Sequence, residues 1–393
     1  MRDDSILLVI EFKEDAGWLG GSIYIDNLIA ALSLLPVCEQ PRVHVRFLSS
    51  PCTAMAKRLR GHAVVAPTYS GRLASLAVLA RRAVRSAKRH MPLLRYLDTM
   101  GRCRLFFPEF DTRQSWRRRL FWIPDFQHHH LPQMFSEEDI VRRTQNYRAI
   151  ADSEGYLLLS SRSALQDFQR FYPGARVVPR VWSFCSSTDM SRTDGDWHAV
   201  LRRFDLPEKF LYVANQFWEH KDHRTVVYAL GLLRQRGLQI PLVCTGREND
   251  HRNPGYFSEL KRLVVELGLE QQVNFLGVLA RDEQVQLFRC AAAIVQPSRF
   301  EGWSTVIEDA KALGRPVIAS NLDVHLEQLD ATPNSRFFAV NDARALADVI
   351  EKAWPKLKAG PELRAEESAS VQASQCRLSS ARQFISIARE ALA

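Results

Sequence analysis

Along the chain, short apolar runs alternate with stretches whose apolar residues recur at helical spacing, and this alternation occurs twice. In the first series, residues 6–12 form an apolar run, Gly17, Gly20 and Gly21 punctuate a turn, and 23–35 carry a helical stripe. Residues 43–48 predict a second strand, 51–59 a helix and 63–66 a short third strand. Later strands are predicted at 120–124, 156–160 and 177–181, with a helix over 163–171. Residues 186–197 are polar and predict a linker. The second series places strands at 210–214, 242–246, 273–277, 293–297 and 316–320. Its helices fall at 223–236, 256–267, 282–291, 305–313, 343–353 and 378–392. Such alternation predicts an α/β chain with two parallel sheets.

Composition fits that picture. The chain has 393 residues, 46% hydrophobic and 25% charged, too long for one ordinary core and ordinary for a globular protein. Two domains are predicted, 1–196 and 197–377, with 378–393 as a final helix. No apolar run reaches the length that spans a bilayer, and the first run is read as a strand, not as a signal peptide. Cys38, Cys52, Cys103, Cys185, Cys244, Cys290 and Cys376 are scattered, odd in number and without a CxxC pair. That argues against a disulfide framework or a zinc site and for a reducing compartment, hence a cytoplasmic location.

The formal net charge of +9 is unevenly placed, for residues 57–119 hold 16 Lys/Arg against 3 Asp/Glu. An anionic membrane surface suits such a segment, and 73–91 has the apolar-then-basic order of a helix lying peripherally on acidic headgroups. Nucleic acid is the weaker reading of the same charge, since it has no support elsewhere in the chain. A solvated basic face explains it equally simply.

Three strand ends carry residues suited to a diphosphate. The clearest runs from Pro297 through Glu301, Gly302, Trp303, Ser304 and Thr305 to Glu308, Asp309, Gly314 and Pro316. A helix starting near Ser304 offers free N–H groups and a positive dipole end to an anion. Glu301 is placed to accept hydrogen bonds from sugar hydroxyls, and Asp309 from a ribose. Glu308, one residue earlier, points about 100° away on a helix. After another strand come Asn215, Gln216, Trp218, His220 and Lys221, and Lys221 is a compact cation for a pyrophosphate.

This pattern resembles the GT-B retaining glycosyltransferases of family 4, the "group 1" transferases. Glu301 matches the first Glu of their Glu-x7-Glu motif, Asp309 the second position, and Gly314-Arg315-Pro316 the tail. Gln216 stands where the family has Arg, and Lys221 matches its Lys. The resemblance implies two Rossmann-like domains with parallel sheets facing across a cleft, and a last helix returning to the N-terminal domain. It implies a nucleotide-diphosphate sugar as co-substrate, no resident cofactor and no required metal. Gly20 and Gly21 match the family's first glycine loop. His128 is the histidine expected near the donor sugar, with His130 in reserve.

Two decoys are set aside. The run His128-His129-His130 does not read as a zinc site, because neighbours in an extended stretch point to opposite faces. Asp194-Gly195-Asp196 spells the DxD of a different transferase fold but sits in the polar linker and reads as a turn. The implied reaction is hexose transfer with retention to a saccharide or lipid-linked acceptor, in bacterial surface-polysaccharide synthesis. A sugar-nucleotide 2-epimerase of the same fold and a non-catalytic partner subunit are the alternatives.

Overall fold

The structure, a computed structural model, describes residues 6–12, 19–47, 54–62, 64–65, 104–110, 112, 118–188, 196–330 and 332–393. They form two sheets of six strands, each wholly parallel. The first comprises β1 (Leu7–Phe12), β2 (Arg42–Phe47), β3 (Arg104–Glu109), β4 (Arg119–Ile123), β5 (Tyr156–Leu159) and β6 (Val178–Val181), in the order β2-β1-β3-β4-β5-β6. The second comprises β7 (Leu211–Val213), β8 (Leu242–Cys244), β9 (Val273–Phe275), β10 (Ala293–Gln296), β11 (Val317–Ser320) and β12 (Arg336–Phe338), in the order β12-β11-β10-β7-β8-β9. Helices cover both faces of a parallel sheet, so its strands are continuous apolar runs. All four residues of β10 and of β11 are accordingly buried. In the second sheet the chain winds outward from β7 in one direction to β9, then from β10 in the other to β12. The switch point between β7 and β10 is where such sheets bind ligands.

Several elements differ from the sequence reading. β3 was not predicted: its apolar part is short, ends at Pro108 and follows the basic segment. β12 and the helices Glu137–Ala151 and Asp323–Leu329 were also missed. Of the strand expected over 63–66, Val64 and Val65 are among the described residues, and Val65 forms an isolated bridge to Val43. The histidine run is a single helical turn, Gln127–His130, not an extended stretch. Asp196 of the linker caps the helix Trp197–Arg203 through a bond from the His198 amide. Gly17, the basic helix expected over 73–91, most of 57–119, and Asp194 and Gly195 lie outside the described residues. Among the described residues no helix is long and apolar enough to cross a membrane.

The last helix starts at Leu363 rather than 378 and runs to Leu392. Near its start Glu366 receives a bidentate Arg289, both side chains buried. Near its end Phe384, Ile385, Ile387 and Ala388 belong to the core of the first sheet. One helix therefore anchors in both halves. The expectation of free thiols throughout is corrected here, since Cys185 and Cys376 form a disulfide across a sequence separation of 191 residues. Folding brings the segment after β6 beside this helix, a proximity that spacing along the chain does not encode.

Candidate functional site

At the switch point the C-terminal ends of β7 and β10 are tied by side chains. Asn215, just beyond β7, donates from Nδ2 to Gln296 Oε1 at 2.9 Å. Gln296, the last residue of β10 and fully buried, donates from Nε2 to Ser298 Oγ at 3.1 Å and to Glu301 Oε1 at 2.8 Å. Ser298 Oγ adds a 2.6 Å bond to the same Glu301 oxygen, and Lys221 Nζ closes on it at 2.6 Å. Glu301 Oε1 is thus saturated, while Oε2 has no hydrogen bond among the described residues. Lys221 Nζ likewise spends one of its three donors. Burial would raise the Glu301 carboxyl, but the charges of Lys221 and His325 and the bonds from Lys221 and Ser298 outweigh it and hold it below the usual range.

The loop leads into the helix Thr305–Ala312. Ser304 is its N-cap, accepting from the Ile307 amide. Gln328 clamps this start by accepting from Ser304 N at 2.9 Å and donating to Ser304 O and Glu308 Oε1, both at 3.1 Å. Capping leaves the first-turn amides of Thr305 and Val306 without intrahelical partners, which is an anion-binding end. Opposite, Gly246 follows β8 with φ 145°. A Cβ there would fall 2.1 Å from Asn215 O, so only glycine permits this approach.

The predicted residues do not all converge. Glu301, Lys221 and Asn215 join one network, with Ser304 and Thr305 starting the adjacent helix. Gln216 is half-buried, and its side-chain amide makes no hydrogen bond among the described residues. Gly302 is where the halves touch, because a Cβ there would lie 2.4 Å from Pro124 O. Trp303 donates from Nε1 to Phe184 O at 3.0 Å and packs on the first core. Asp309 is buried, with Oδ1 accepting from Ser186 Oγ at 2.6 Å, Thr188 Oγ1 at 2.8 Å and Arg281 at 2.7 Å. Only Oδ2 remains for another partner. Glu308 faces away, to Lys311 and Gln328. Gly20 is exposed and Gly21 buried in the first turn of the helix Leu19–Ser33.

The three histidines diverge. His128 is 1% exposed, beside Tyr147, Phe135 and His129, and neither ring nitrogen has a partner among the described residues. Burial, then the charges of His129, Arg143 and His130, lower its pKa to about 4. His129 stacks on Phe171. His130 bonds Asp167 at 2.7 Å and lies 5.1 Å from the ring of Phe300, the neighbour of Glu301. Gln296, Ser298, His325 and Gln328 were missed by sequence reasoning. The one signal for them was a Gln ending an otherwise apolar strand.

Comparison with known proteins agrees with this architecture. Residues 195–363 match the family model described as glycosyl transferases group 1. A D-inositol 3-phosphate glycosyltransferase of Corynebacterium efficiens is 33% identical over 88 residues, 22% of this chain and 20% of that protein. An O-antigen chain mannosyltransferase B of Escherichia coli is 26% identical over 154 residues, 38% of this chain and 39% of that protein. The matched stretches thus span less than half the length of these curated relatives. The crystal structure of Anabaena Alr3699/HepE in complex with UDP superposes with a TM-score of 0.65 at 19% identity, covering 98% of each chain. Residues 195–363 thus match the glycosyl transferases group 1 model, with its signature loop at the second sheet's switch point, and the chain's two parallel six-stranded sheets have the GT-B arrangement.

Proposed function

We propose that the protein transfers a hexose, mannose- or rhamnose-like, from a nucleotide-diphosphate sugar to a saccharide or lipid-linked acceptor with retention, in bacterial surface-polysaccharide synthesis. The observation that carries this reading is the Glu301 carboxylate, fixed through one oxygen by Lys221, Gln296 and Ser298 beside a capped helix start. Its second oxygen suits the hydroxyls of a donor sugar. Charge growing on the leaving diphosphate is met by Lys221, by the Gln216 amide and by the amides at Thr305, which is electrostatic catalysis by preorganised donors. That cation and dipole fill the place a divalent ion takes elsewhere, so the reading needs no metal and no resident cofactor. Asp309 takes the ribose through Oδ2.

His128 suits a sugar hydroxyl because its buried ring nitrogens lack partners, an arrangement a bound polar group relieves. In this reading Gly20 and Gly21 approach the diphosphate or the acceptor from the N-terminal half. The relatives named as a mannosyltransferase and an inositol phosphate glycosyltransferase, and the UDP bound by the Anabaena protein, support a nucleotide-sugar donor. The basic segment 57–119 suits the anionic cytoplasmic face of a membrane, which is where this reading puts the protein.

Thermal shifts with GDP, UDP and dTDP identify the donor base, and turnover is then followed in Glu301→Ala. The variant is expected to fold, to keep its nucleotide shift, and to lose transfer by on the order of 10²–10³-fold. Unchanged turnover overturns the role given to Glu301. Release of free nucleotide with an epimerised sugar and no acceptor product identifies an epimerase instead.

A further inference from the structure

A cavity of about 470 Å³ opens between the two halves, beside the Glu301–Lys221 pair and separate from it. Gln133, Ser136 and Asp139 line it from the N-terminal half, and Glu219, Arg252 and Asn253 from the C-terminal half. The short helix Glu219–Lys221 is the partition, since Glu219 faces the cavity while Lys221 holds Glu301. The Arg299 amide bonds His220 O at 2.8 Å and fastens the Glu301 loop to that partition. A molecule in the cavity therefore sits next to the reacting centre proposed above.

The lining chemistry narrows what that molecule is. Asp139 uses Oδ1 for Arg142, and its Oδ2 has no hydrogen bond among the described residues. Glu219 accepts from Asn253 through Oε2, while its Oε1 has Arg299 3.7 Å away, beyond hydrogen-bond reach. Asp250 is committed to the protein, accepting from Glu219 N and Arg252 N. Arg252 is committed too. Its guanidinium bonds Gln127 Oε1 at 3.2 Å and His220 Nδ1 at 3.0 Å, and lies 5.1 and 5.2 Å from the rings of Phe135 and Trp218. The cavity thus offers carboxylate oxygens, amides, the Ser136 hydroxyl and the exposed His251 imidazole, and its one arginine is already paired. Hydroxyl groups, which donate and accept, are complementary to such a surface, whereas a phosphate meets like charge.

We propose that this cavity is the acceptor subsite and that it takes an uncharged saccharide, not a phosphorylated one. The inference rests on the glycosyl-transfer reading and adds the acceptor's class and position. Because both halves supply the lining, the acceptor would be enclosed only when they meet, which couples its binding to exclusion of water.

The test uses the full chain with the donor identified by thermal shift, and reads nucleotide release as a function of added acceptor probe. The probes are a panel of neutral methyl hexosides and the matching hexose 6-phosphates. Neutral glycosides are expected to accelerate release and the phosphates to have no effect. Asp139→Asn and Asn253→Ala are each expected to raise the half-saturating glycoside concentration on the order of 10-fold, with the nucleotide shift unchanged. The inference is overturned if the phosphates are the better probes, if no neutral glycoside accelerates release, or if both variants saturate as the parent does. Loss of any nucleotide shift in the parent overturns the transfer reading itself, a result distinct from these.

Discussion

His128 is held neutral by its surroundings, and this has a consequence for acid stability. Burial comes first, then the positive neighbours His129, Arg143 and His130, and together they lower its pKa from 6.5 to about 4. The unfolded chain therefore takes up this proton before the folded one does. Its contribution to stability is full above pH 6.5 and is lost as pH falls toward 4. Replacing the imidazole by a ring that cannot titrate, His128→Phe, is expected to flatten the loss of denaturation midpoint between those values. An unaltered slope would refute the assignment. A second single-residue effect concerns Gln296, which orients Glu301 and bonds Asn215 from a fully buried position. Gln296→Leu keeps the volume but removes these two bonds and the one to Ser298, and turnover is expected to fall roughly 10- to 100-fold, since unmet buried partners cost about 1–3 kcal/mol. Circular dichroism separates this from misfolding, and a kcat within twofold of the parent would rule it out. Glu301 and Lys221 were legible in the sequence because each stands as a charge soon after an apolar strand. Gln296 was not, because one polar residue closing a strand looks like the strand's ordinary end.

The same contrast holds for whole elements. The helix Thr305–Ala312 was readable because a Ser cap, an apolar stripe and a terminating Gly314 all agree. The helix Glu137–Ala151 buries only Tyr147, Ile150 and Ala151, so its largely polar sequence carries little periodic signal even though Ser136 caps it. Asp323–Leu329 is short, and its side chains answer to tertiary partners. Glu327 from that helix caps the helix Arg162–Phe171 in the other half. It accepts from Arg162 N at 3.0 Å with each oxygen and from Ser163 N at 3.2 Å. A carboxylate at an N-terminus stabilises through both hydrogen bonding and the dipole. Since the cap spans the two halves, it links helix stability to their contact. Glu327→Ala is expected to cost about 1 kcal/mol in chemical unfolding and to increase hydrogen exchange at the 162–165 amides. Protection there equal to that of the parent would show that the cap is not formed in solution.

Across the whole molecule the chain passes between the halves twice, once after β6 and once along the helix Leu363–Leu392, and the Cys185–Cys376 bond joins the two crossings. Two independent anchors hold the helix, the Arg289–Glu366 pair at one end and the apolar cluster around Phe384 at the other. The disulfide is a third, closing a loop of 191 residues. On the chain-entropy account, such a link raises the free energy of unfolding by about 5 kcal/mol through restriction of the unfolded chain. Two parallel sheets were foreseeable from alternating periodicities, although β3 and β12 were not, and neither was this link. Cys376 is exposed and Cys185 buried, and only the returning helix brings them together. Peptide mapping without reductant is expected to recover the two cysteines in one linked pair. Cys376→Ser should lower the midpoint of thermal unfolding to that of the reduced parent, with added reductant having no further effect on the variant. A parent whose midpoint is indifferent to reductant, and whose map shows both thiols free, would mean that the helix is held in place by Glu366 and Phe384 without a covalent tie.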